Sequence, residues 1–431
     1  MNKKSLSISE VKKNVGEVVM ICGFVQTIRD QGKIKFVMLR NGGELLQIVL
    51  LSSSPAFVQS SGLTLESVVE VTGTVKQEKQ APGGFEISAD EIKILSSAQP
   101  SLPIPVVTEK GGEESDISLR FDYRWLDLRK QGRKQIFEAW TELERGFRNY
   151  YHENGFIQIY TPSFMDAPSE SGAEVFKVDY FERKAFLAQS PQFYKQMAMA
   201  SDFGRVFVMG PVFRAEPSYT TRHMTEFTGW DFEISYVDSH CDVMKALEDV
   251  IVAGFKQVKE SGVMEIEVPA TPFPKISMED AKKRLSGSGL KSEKPGDVTP
   301  EEERELCRIM KEETGHDFVF LVDYPIESRP FYHMRHEDNP GLTKSFDLLY
   351  KGIEITTGAQ REHRVEFLEA QATEKGLSLE SIKHYLDFFR YGCPPHGGVG
   401  IGPGRIIMQM LDLPSVKEAT FLPRDVKRLI P

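Results

Sequence analysis

The sequence predicts a multidomain α+β protein. It has a small N-terminal β-barrel, a linker, and a larger domain in which helices flank a mostly antiparallel sheet. Three observations predict it. The chain has 431 residues, more than one domain usually holds. Residues 17–95 break into short runs rich in Val, Ile and Phe, with Gly and polar residues between them. From about residue 136, strand-like and helix-like runs mix without the regular alternation that βαβ units would give.

The barrel rests on five runs: EVVMICGFVQTI, IKFVML, LLQIVLL, SVVEVTGTVKQ and FEISADEIKIL. Five short strands in so little chain suit an OB-fold, although a generic barrel or sandwich without a ligand would satisfy the same pattern. Prolines, glycines and charges over Gln99–Asp116 read as a linker. A helix follows, with Ile136, Phe137, Trp140, Leu143, Phe147 and Tyr151 at three- and four-residue spacing and Gly155 as its stop. This stripe reads as core or dimer packing. Lys291–Gly315 reads as a charged helical insertion whose charges form a solvated face. The expected domains are residues 1–103, a linker or hinge over 104–133, and 134–431 with the insertion at about 285–315.

Composition excludes several classes. No run approaches the length and apolarity of a membrane span, and MNKKSLSISEVKK lacks the apolar core of a secretory signal. Cys22, Cys241, Cys307 and Cys393 are far apart, which fits free thiols in the cytoplasm and neither a zinc site nor a disulfide framework. The net charge of −10 argues only weakly against nucleic acid. Residues 1–100 hold 11 Lys/Arg against 10 Asp/Glu, so the acidic excess lies beyond them.

The chemistry begins at FRAEPSYTTRH, Phe213–His223. RVFVMGPVFRAE and FTGWDFEISY both read as strands, separated by a hairpin-length loop. Alternation puts Arg214 and Glu216 on one face of the first. It puts Phe227, Gly229, Asp231 and Glu233 on one face of the second. Paired, they form a floor with a cation, acids, a ring and a gap, rimmed by Arg222 and His223. Such a floor suits an anionic, flat-ringed ligand, because arginine grips phosphate through two N–H groups and phenylalanine offers a stacking face. A cross-strand ion pair on a solvent face would leave the same residues.

FRAE with RHMTEF and D-x-E resembles motif 2 of the class II aminoacyl-tRNA synthetases. ENGFIQIYTP, ending at Pro162, resembles motif 1, a dimer-interface element. GGVGIGPGR, Gly397–Arg405, resembles motif 3. Three motifs in order are specific where one glycine-rich run would not be. GAEVF, AQSPQFYKQM, EITTGAQR, PPHGG and LPRDVKRLIP are similar to the aspartyl-tRNA synthetases, and the likeness spans essentially the whole chain. It implies an OB-fold anticodon-binding domain and a class II synthetase antiparallel-sheet catalytic domain. It further implies ATP and Mg²⁺, with L-aspartate and tRNA(Asp) as substrates, in a homodimer.

The resemblance also implies roles. Arg214 holds the α-phosphate, Glu216 contacts adenine, Phe227 stacks on it, and Arg222, His223 and Arg405 grip the outer phosphates. Met224, Gly402, Pro403 and Gly404 complete the ATP site. Glu354 and Thr357 hold Mg²⁺ through hard oxygen ligands. Lys195 and Arg361 clamp the side-chain carboxylate of aspartate. Asp231, Glu170 and Gln192 take its ammonium, and His396 closes over it. In the barrel, Phe36 stacks on an anticodon base, Gln47 reads one, and Arg29 lies nearby. Catalytic weight falls on Arg214, Arg405 and Glu354.

This chain departs from the family pattern at Gly404, where an acid is usual, at Thr357, where serine is common, and at Ser171 in the loop before GAEVF. Pro82 in APGGFEI tends to accompany relaxed anticodon recognition in the family, and Phe24 stands where strict relatives often carry tryptophan. Charging of tRNA(Asn) as well as tRNA(Asp) is therefore expected, with strict recognition as the alternative. An asparaginyl enzyme would leave the Lys195 ammonium unpaired against an amide. A non-charging paralogue is kept open by Gly404. An OB-fold RNA binder with an inert second domain leaves three charged motifs unexplained.

Overall fold

A computed structural model of the chain describes residues 5–107, 112–168, 175–290, 292 and 294–431. It forms two compact units, Met1–Lys134 with Pro431, and Gln135–Ile430.

The first unit contains a closed barrel of β1 (Val18–Asp30), β2 (Ile34–Asn41), β3 (Glu44–Leu51), β4 (Val68–Gln77) and β5 (Phe85–Ser96), in the order β1-β2-β3-β5-β4. The β3–β5 pair is parallel and the others antiparallel. Val19, Ile21, Val25, Val37, Leu39 and Ile48 alternate into one interior, as two-residue periodicity requires. The stretch read as a linker is partly structured. Short helices span Ile117–Asp122 and Arg124–Asp127, and Ile104, Val106 and Leu126 form their own apolar cluster. A fully buried Arg124–Asp127 ion pair at 2.7 Å lies beside Lys130.

The strands of the second unit are β6 (Ile157–Gln158), β7 (Phe164–Met165), β8 (Lys177–Tyr180), β9 (Arg183–Leu187), β10 (Arg205–Phe213), β11 (Glu226–Ser235), β12 (Lys275–Ser277), β13 (Phe318–Val322), β14 (Ser345–Tyr350), β15 (Ile353–Arg361) and β16 (His396–Ile401). Eight form one sheet in the order β12-β13-β14-β15-β16-β11-β10-β6, antiparallel except at the β12–β13 and β10–β6 pairs. β7, β9 and β8 form a small separate sheet.

The predicted amphipathic helix spans Arg133–Glu153, and Gly155 follows at φ +72°. Its Ile136, Leu143 and Phe147 are buried in a core shared with Trp230, Phe232 and Val399 of the sheet. Each such burial is worth ~1.5–3 kcal/mol, enough to fix which face of the helix turns inward. Helix His240–Ser261 belongs to the same core, through Val243, Leu247, Val250 and Ile251. This packing leaves the opposite face of β11, bearing Phe227, Gly229, Asp231 and Glu233, free to build a site.

The insertion contains helix Pro300–Thr314, started by a Thr299/Glu302 capping box and stopped at Gly315 with φ +76°. Its acids are not all solvated, which corrects the sequence expectation. Glu302 and Glu303 are buried beside Leu306, Cys307 and Met310, because the helix turns that edge toward the sheet and each acid finds a cation there.

Candidate functional site

β10 and β11 form an antiparallel hairpin with Phe213 opposite Glu226. The first strand ends at Phe213, one residue before Arg214, although the Arg214 N–H still donates to Thr225 O at 2.9 Å. Pro217 supplies no N–H and disfavours continuing the ladder, so Glu216 lies in an irregular segment. The Arg214 guanidinium stands 5.6 Å over the Phe227 ring.

β16 completes the floor. Gly398 pairs with Glu233, and Gly400 with Asp231. A Cβ on Gly398 would lie 2.1 Å from Glu233 Oε2 and 2.2 Å from Phe232 O, so only glycine fits opposite that carboxylate. After Ile401 the chain turns at Gly402 into helix Pro403–Met410, with proline in its first turn. A Cβ on Gly404 would meet Val416 at 3.1 Å, so a side chain there would press on the wall behind the site.

These elements enclose a cavity of about 970 Å³. Its walls include Arg214, Glu216, Arg222, His223, Met224 and Phe227 from the hairpin. Glu354, Thr357 and Arg361 come from β15, Gly402, Gly404 and Arg405 from the β16–helix turn, and Gln192 and Asp231 from deeper in. The structure thus brings together most of the residues expected from sequence. Glu170 lies outside the described residues. Pro403 is buried at the start of its helix. Lys195 and His396 are fully buried and do not form part of the wall.

One end of the cavity gathers Arg214, Arg222 and Arg405 together with Glu216 and Glu354. Arg405 Nη1 donates to Glu354 O at 2.7 Å and lies 3.3 Å from Glu354 Oε2. Thr357 Oγ1 donates to Glu354 Oε1 at 3.1 Å. Burial would raise the Glu354 pKa, but Arg405, Arg329 and this hydrogen bond outweigh it and hold the carboxyl below its ordinary value. His223 is pushed down to about 4, by burial first and then by Arg405 and Arg222, so it is neutral at pH 7. Arg222 pairs with Glu303 at 2.6 Å, and burial raises Glu303 to about 7 against that pairing.

The inner end is a buried charge network. Lys195 Nζ lies 2.8 Å from Asp231 Oδ2, 2.8 Å from Val399 O and 3.4 Å from Glu233 Oε2. Arg361 donates from Nε to Glu233 Oε1 at 2.9 Å and from Nη2 to Gly398 O at 2.9 Å and Gln192 Oε1 at 3.2 Å. Its Nη1 faces His333 Nε2 at 2.9 Å. Burial, then Arg361, hold His333 neutral, so it accepts that bond. Burial raises Asp231, with Lys195 opposing. Burial would also raise Glu233, but Arg361 and Lys195 outweigh it and its pKa falls.

Lys195 is paired with Asp231, and His396 is buried away from the cavity wall. Its Nδ1 donates to Pro394 O at 2.8 Å, and its Nε2 accepts from Gln196, which is held in turn by the Tyr385 hydroxyl at 3.0 Å.

Sequence reasoning missed Glu303, His333, Arg329 and Asp347. Asp347 is buried, pairs with Arg329 at 2.8 Å and lies opposite Thr357 across β14–β15. Burial raises it, and the Glu354 charge adds to that rise. The only sequence signal was a lone aspartate in the apolar run SFDLLY.

In the barrel, Arg29 lies opposite Phe36 and Gln47 opposite Met38, all on the outer side of β1–β2–β3. Gln47 Nε2 donates to Glu86 Oε2 at 2.7 Å. Pro82 is exposed on the turn Pro82–Gly84, beside β3. The Phe24 ring lies under Arg129 at 4.3 Å and Arg40 at 5.3 Å.

Comparison with known proteins decides the family. Residues 116–426 match the tRNA synthetases class II (D, K and N), and residues 19–95 match the OB-fold nucleic acid binding domain. The chain is a class II tRNA synthetase. It is similar to the aspartate–tRNA(Asp/Asn) ligase of Aeropyrum pernix, at 42% identity over 98% of both chains. It is also similar to the aspartate–tRNA(Asp) ligase of Pyrococcus abyssi, at 38% identity over 98% of both. Among solved structures, asparaginyl-tRNA synthetase from Pyrococcus horikoshii with asparaginyl-adenylate matches at TM-score 0.91 and 29% identity, over 99% of this chain and 100% of that one. As a member of an ATP-using family with an anticodon-binding domain, the synthetase takes ATP and tRNA as substrates. Among the described residues, no helix is long and apolar enough to cross a membrane, and no cluster of three or more His, Cys, Asp or Glu side chains is arranged to hold a metal.

Proposed function

We propose that the protein is an aspartate–tRNA ligase that activates L-aspartate with ATP and transfers it to tRNA(Asp) and also to tRNA(Asn). The observation that carries the chemistry is one cavity with Arg214, Arg222 and Arg405 at one end and Arg361 beside Asp231 at the other. Cations at the first end suit a triphosphate. At the second, a guanidinium and a carboxylate suit a substrate bearing both carboxylate and ammonium. Full-length likeness to aspartate–tRNA ligases, at 38% and 42% identity, favours aspartate over asparagine.

The α-carboxylate of aspartate attacks the α-phosphorus of ATP, and pyrophosphate leaves in line. The nucleophile is already ionised, so no general base is required, and catalysis is positioning with charge stabilisation. Arg214 neutralises charge on the α-phosphate. Phe227, against which Arg214 already lies, stacks on adenine, and Glu216 contacts its amino group. Met224, Gly402, Pro403 and Gly404 shape the nucleotide pocket, with Arg222, His223 and Arg405 on the outer phosphates. Arg361 and Lys195 take the side-chain carboxylate, with Glu233 beside both. Asp231, Gln192 and Glu170 take the ammonium. The terminal ribose hydroxyl of tRNA then attacks the acyl carbon of the adenylate and loses its proton, and the acyl–phosphate bond breaks to release AMP.

Glu354 and Thr357 fit Mg²⁺. Their oxygens are adjacent, the carboxyl is kept ionised, and Mg²⁺ usually takes one or two carboxylates plus substrate phosphates. Such an ion would neutralise phosphate charge. The barrel holds the anticodon through Phe36, Gln47 and Arg29, with Pro82 at its edge. Exposed Tyr160 (83%) and Phe164 (53%) flank Pro162, which supports a homodimer through that segment. Four free thiols support a cytoplasmic location.

The test is aspartate-dependent ATP–pyrophosphate exchange, followed by charging of purified tRNA(Asp) and tRNA(Asn) side by side at one salt concentration. Comparable charging of both is expected. Charging of tRNA(Asp) alone would mean strict recognition, and exchange driven by asparagine would overturn the amino-acid assignment.

A further inference from the structure

The helix Pro300–Thr314 begins with three successive glutamates that go separate ways. Glu301 is exposed, Glu302 pairs with Lys282 at 2.8 Å, and Glu303 turns into the protein with 5% exposure. Glu303 Oε2 accepts from Arg222 Nη2 at 2.6 Å and from the Glu354 backbone N–H at 3.3 Å. One carboxylate oxygen thus ties the β10–β11 loop to the start of β15, across 81 and 51 positions of sequence. Arg222 Nε is buried and has no hydrogen-bond partner among the described residues. A guanidinium presents five donors in a fixed fork, so anchoring one corner aims the rest.

We propose that Glu303 is a positioning residue of the nucleotide site. It fixes Arg222 against β15 so that the part of the guanidinium left open to the cavity meets the outer phosphates of a nucleoside triphosphate. This rests on the ATP reading of the cavity given above. A carboxylate near a triphosphate also repels it, so the sign of the mutant effect separates two roles. Loss of positioning weakens ATP binding, whereas loss of a competing counter-charge strengthens it.

The experiment uses the full chain and its Glu303→Ala, Glu303→Gln, Arg222→Ala and Glu303→Ala/Arg222→Ala variants. ATP affinity is measured by calorimetry, and the KM for ATP and for aspartate by pyrophosphate exchange. Glu303→Ala should raise the ATP Kd and KM by about tenfold, the loss of one charge-assisted hydrogen bond to an aligned arginine. The aspartate KM, and kcat at saturating ATP, should change by less than about twofold. Glu303→Gln, which keeps an acceptor oxygen, should recover part of the loss. In the Arg222→Ala background, Glu303→Ala should add less than about twofold, because both act through one contact. Unchanged or tighter ATP binding in Glu303→Ala would overturn the proposal. So would an effect that persists in full without Arg222, since that would be damage to the helix. A wild-type chain that binds ATP without aspartate-dependent exchange would overturn the ligase reading alone and leave the ATP series a valid test. A wild-type chain that does not bind ATP would overturn both.

Discussion

Replacing Glu233 by glutamine removes one charge from a buried set of four. Glu233 accepts from Arg361 at 2.9 Å, lies 3.4 Å from Lys195, and its side chain has no solvent exposure. Removing one partner of a buried ion pair costs about 3–5 kcal/mol, because the other charge is left uncompensated. The amide keeps an oxygen for Arg361, and Asp231 still holds Lys195 at 2.8 Å. The expected loss is therefore at the low end, about 3 kcal/mol at pH 7. Burial would raise the Glu233 pKa, but Arg361, Lys195 and His396 outweigh it and hold it low. A carboxyl depressed in the folded state contributes stability above its unfolded pKa and loses it as pH falls through the folded one. The gap between wild type and Glu233→Gln should thus be full at pH 7 and narrow below about pH 4. Urea titration followed by tryptophan fluorescence reads it, since Trp140 and Trp230 meet at 5.7 Å within this unit. A pH 7 difference under ~0.5 kcal/mol with unchanged slope would refute the view that these charges are coupled through burial.

Three further outcomes are expected. Arg214→Ala should lower aspartate-dependent exchange by at least ~10²-fold with an unchanged urea midpoint, as loss of a transition-state charge contact does. Phe36→Ala should weaken tRNA binding by ~1–3 kcal/mol in a filter-binding assay while tRNA-independent exchange stays normal, since stacking on a base is local to the barrel. His396 is fully buried and held at about 4, by burial first and with Glu233 opposing. The unfolded chain therefore takes up this proton first, and stability present above pH 6.5 is lost as pH falls toward 4, by up to ~2 kcal/mol at pH 5. His396→Gln should show a correspondingly flatter urea midpoint between pH 7 and 5.

What the sequence revealed follows the range of its local rules. Two-residue alternation placed Phe227, Gly229, Asp231 and Glu233 on one face of β11, and the structure keeps them there. Helical spacing named the buried stripe Ile136–Tyr151. Cross-strand register was not legible, because nothing local says that Gly398 will lie opposite Glu233, 165 positions earlier. That register explains the glycines. Charge partners were equally hidden. No local pattern says that Asp231 will lie beside Lys195, and Glu303 reads as solvated within a run of acids. Nor does any local pattern set His396 among Pro394, Gln196 and Tyr385.

The glycines of β16 also bear on how the site comes into being. Three of the six residues of this strand are glycine, and glycine surrenders more backbone freedom on ordering than any other residue. Such a strand has little tendency to form alone. It is held between β11 and β15, elements distant in sequence. The floor beneath Asp231 and Glu233 therefore exists only where all three strands are paired. A ligand that fills the cavity above it stabilises that paired arrangement and no single strand of it.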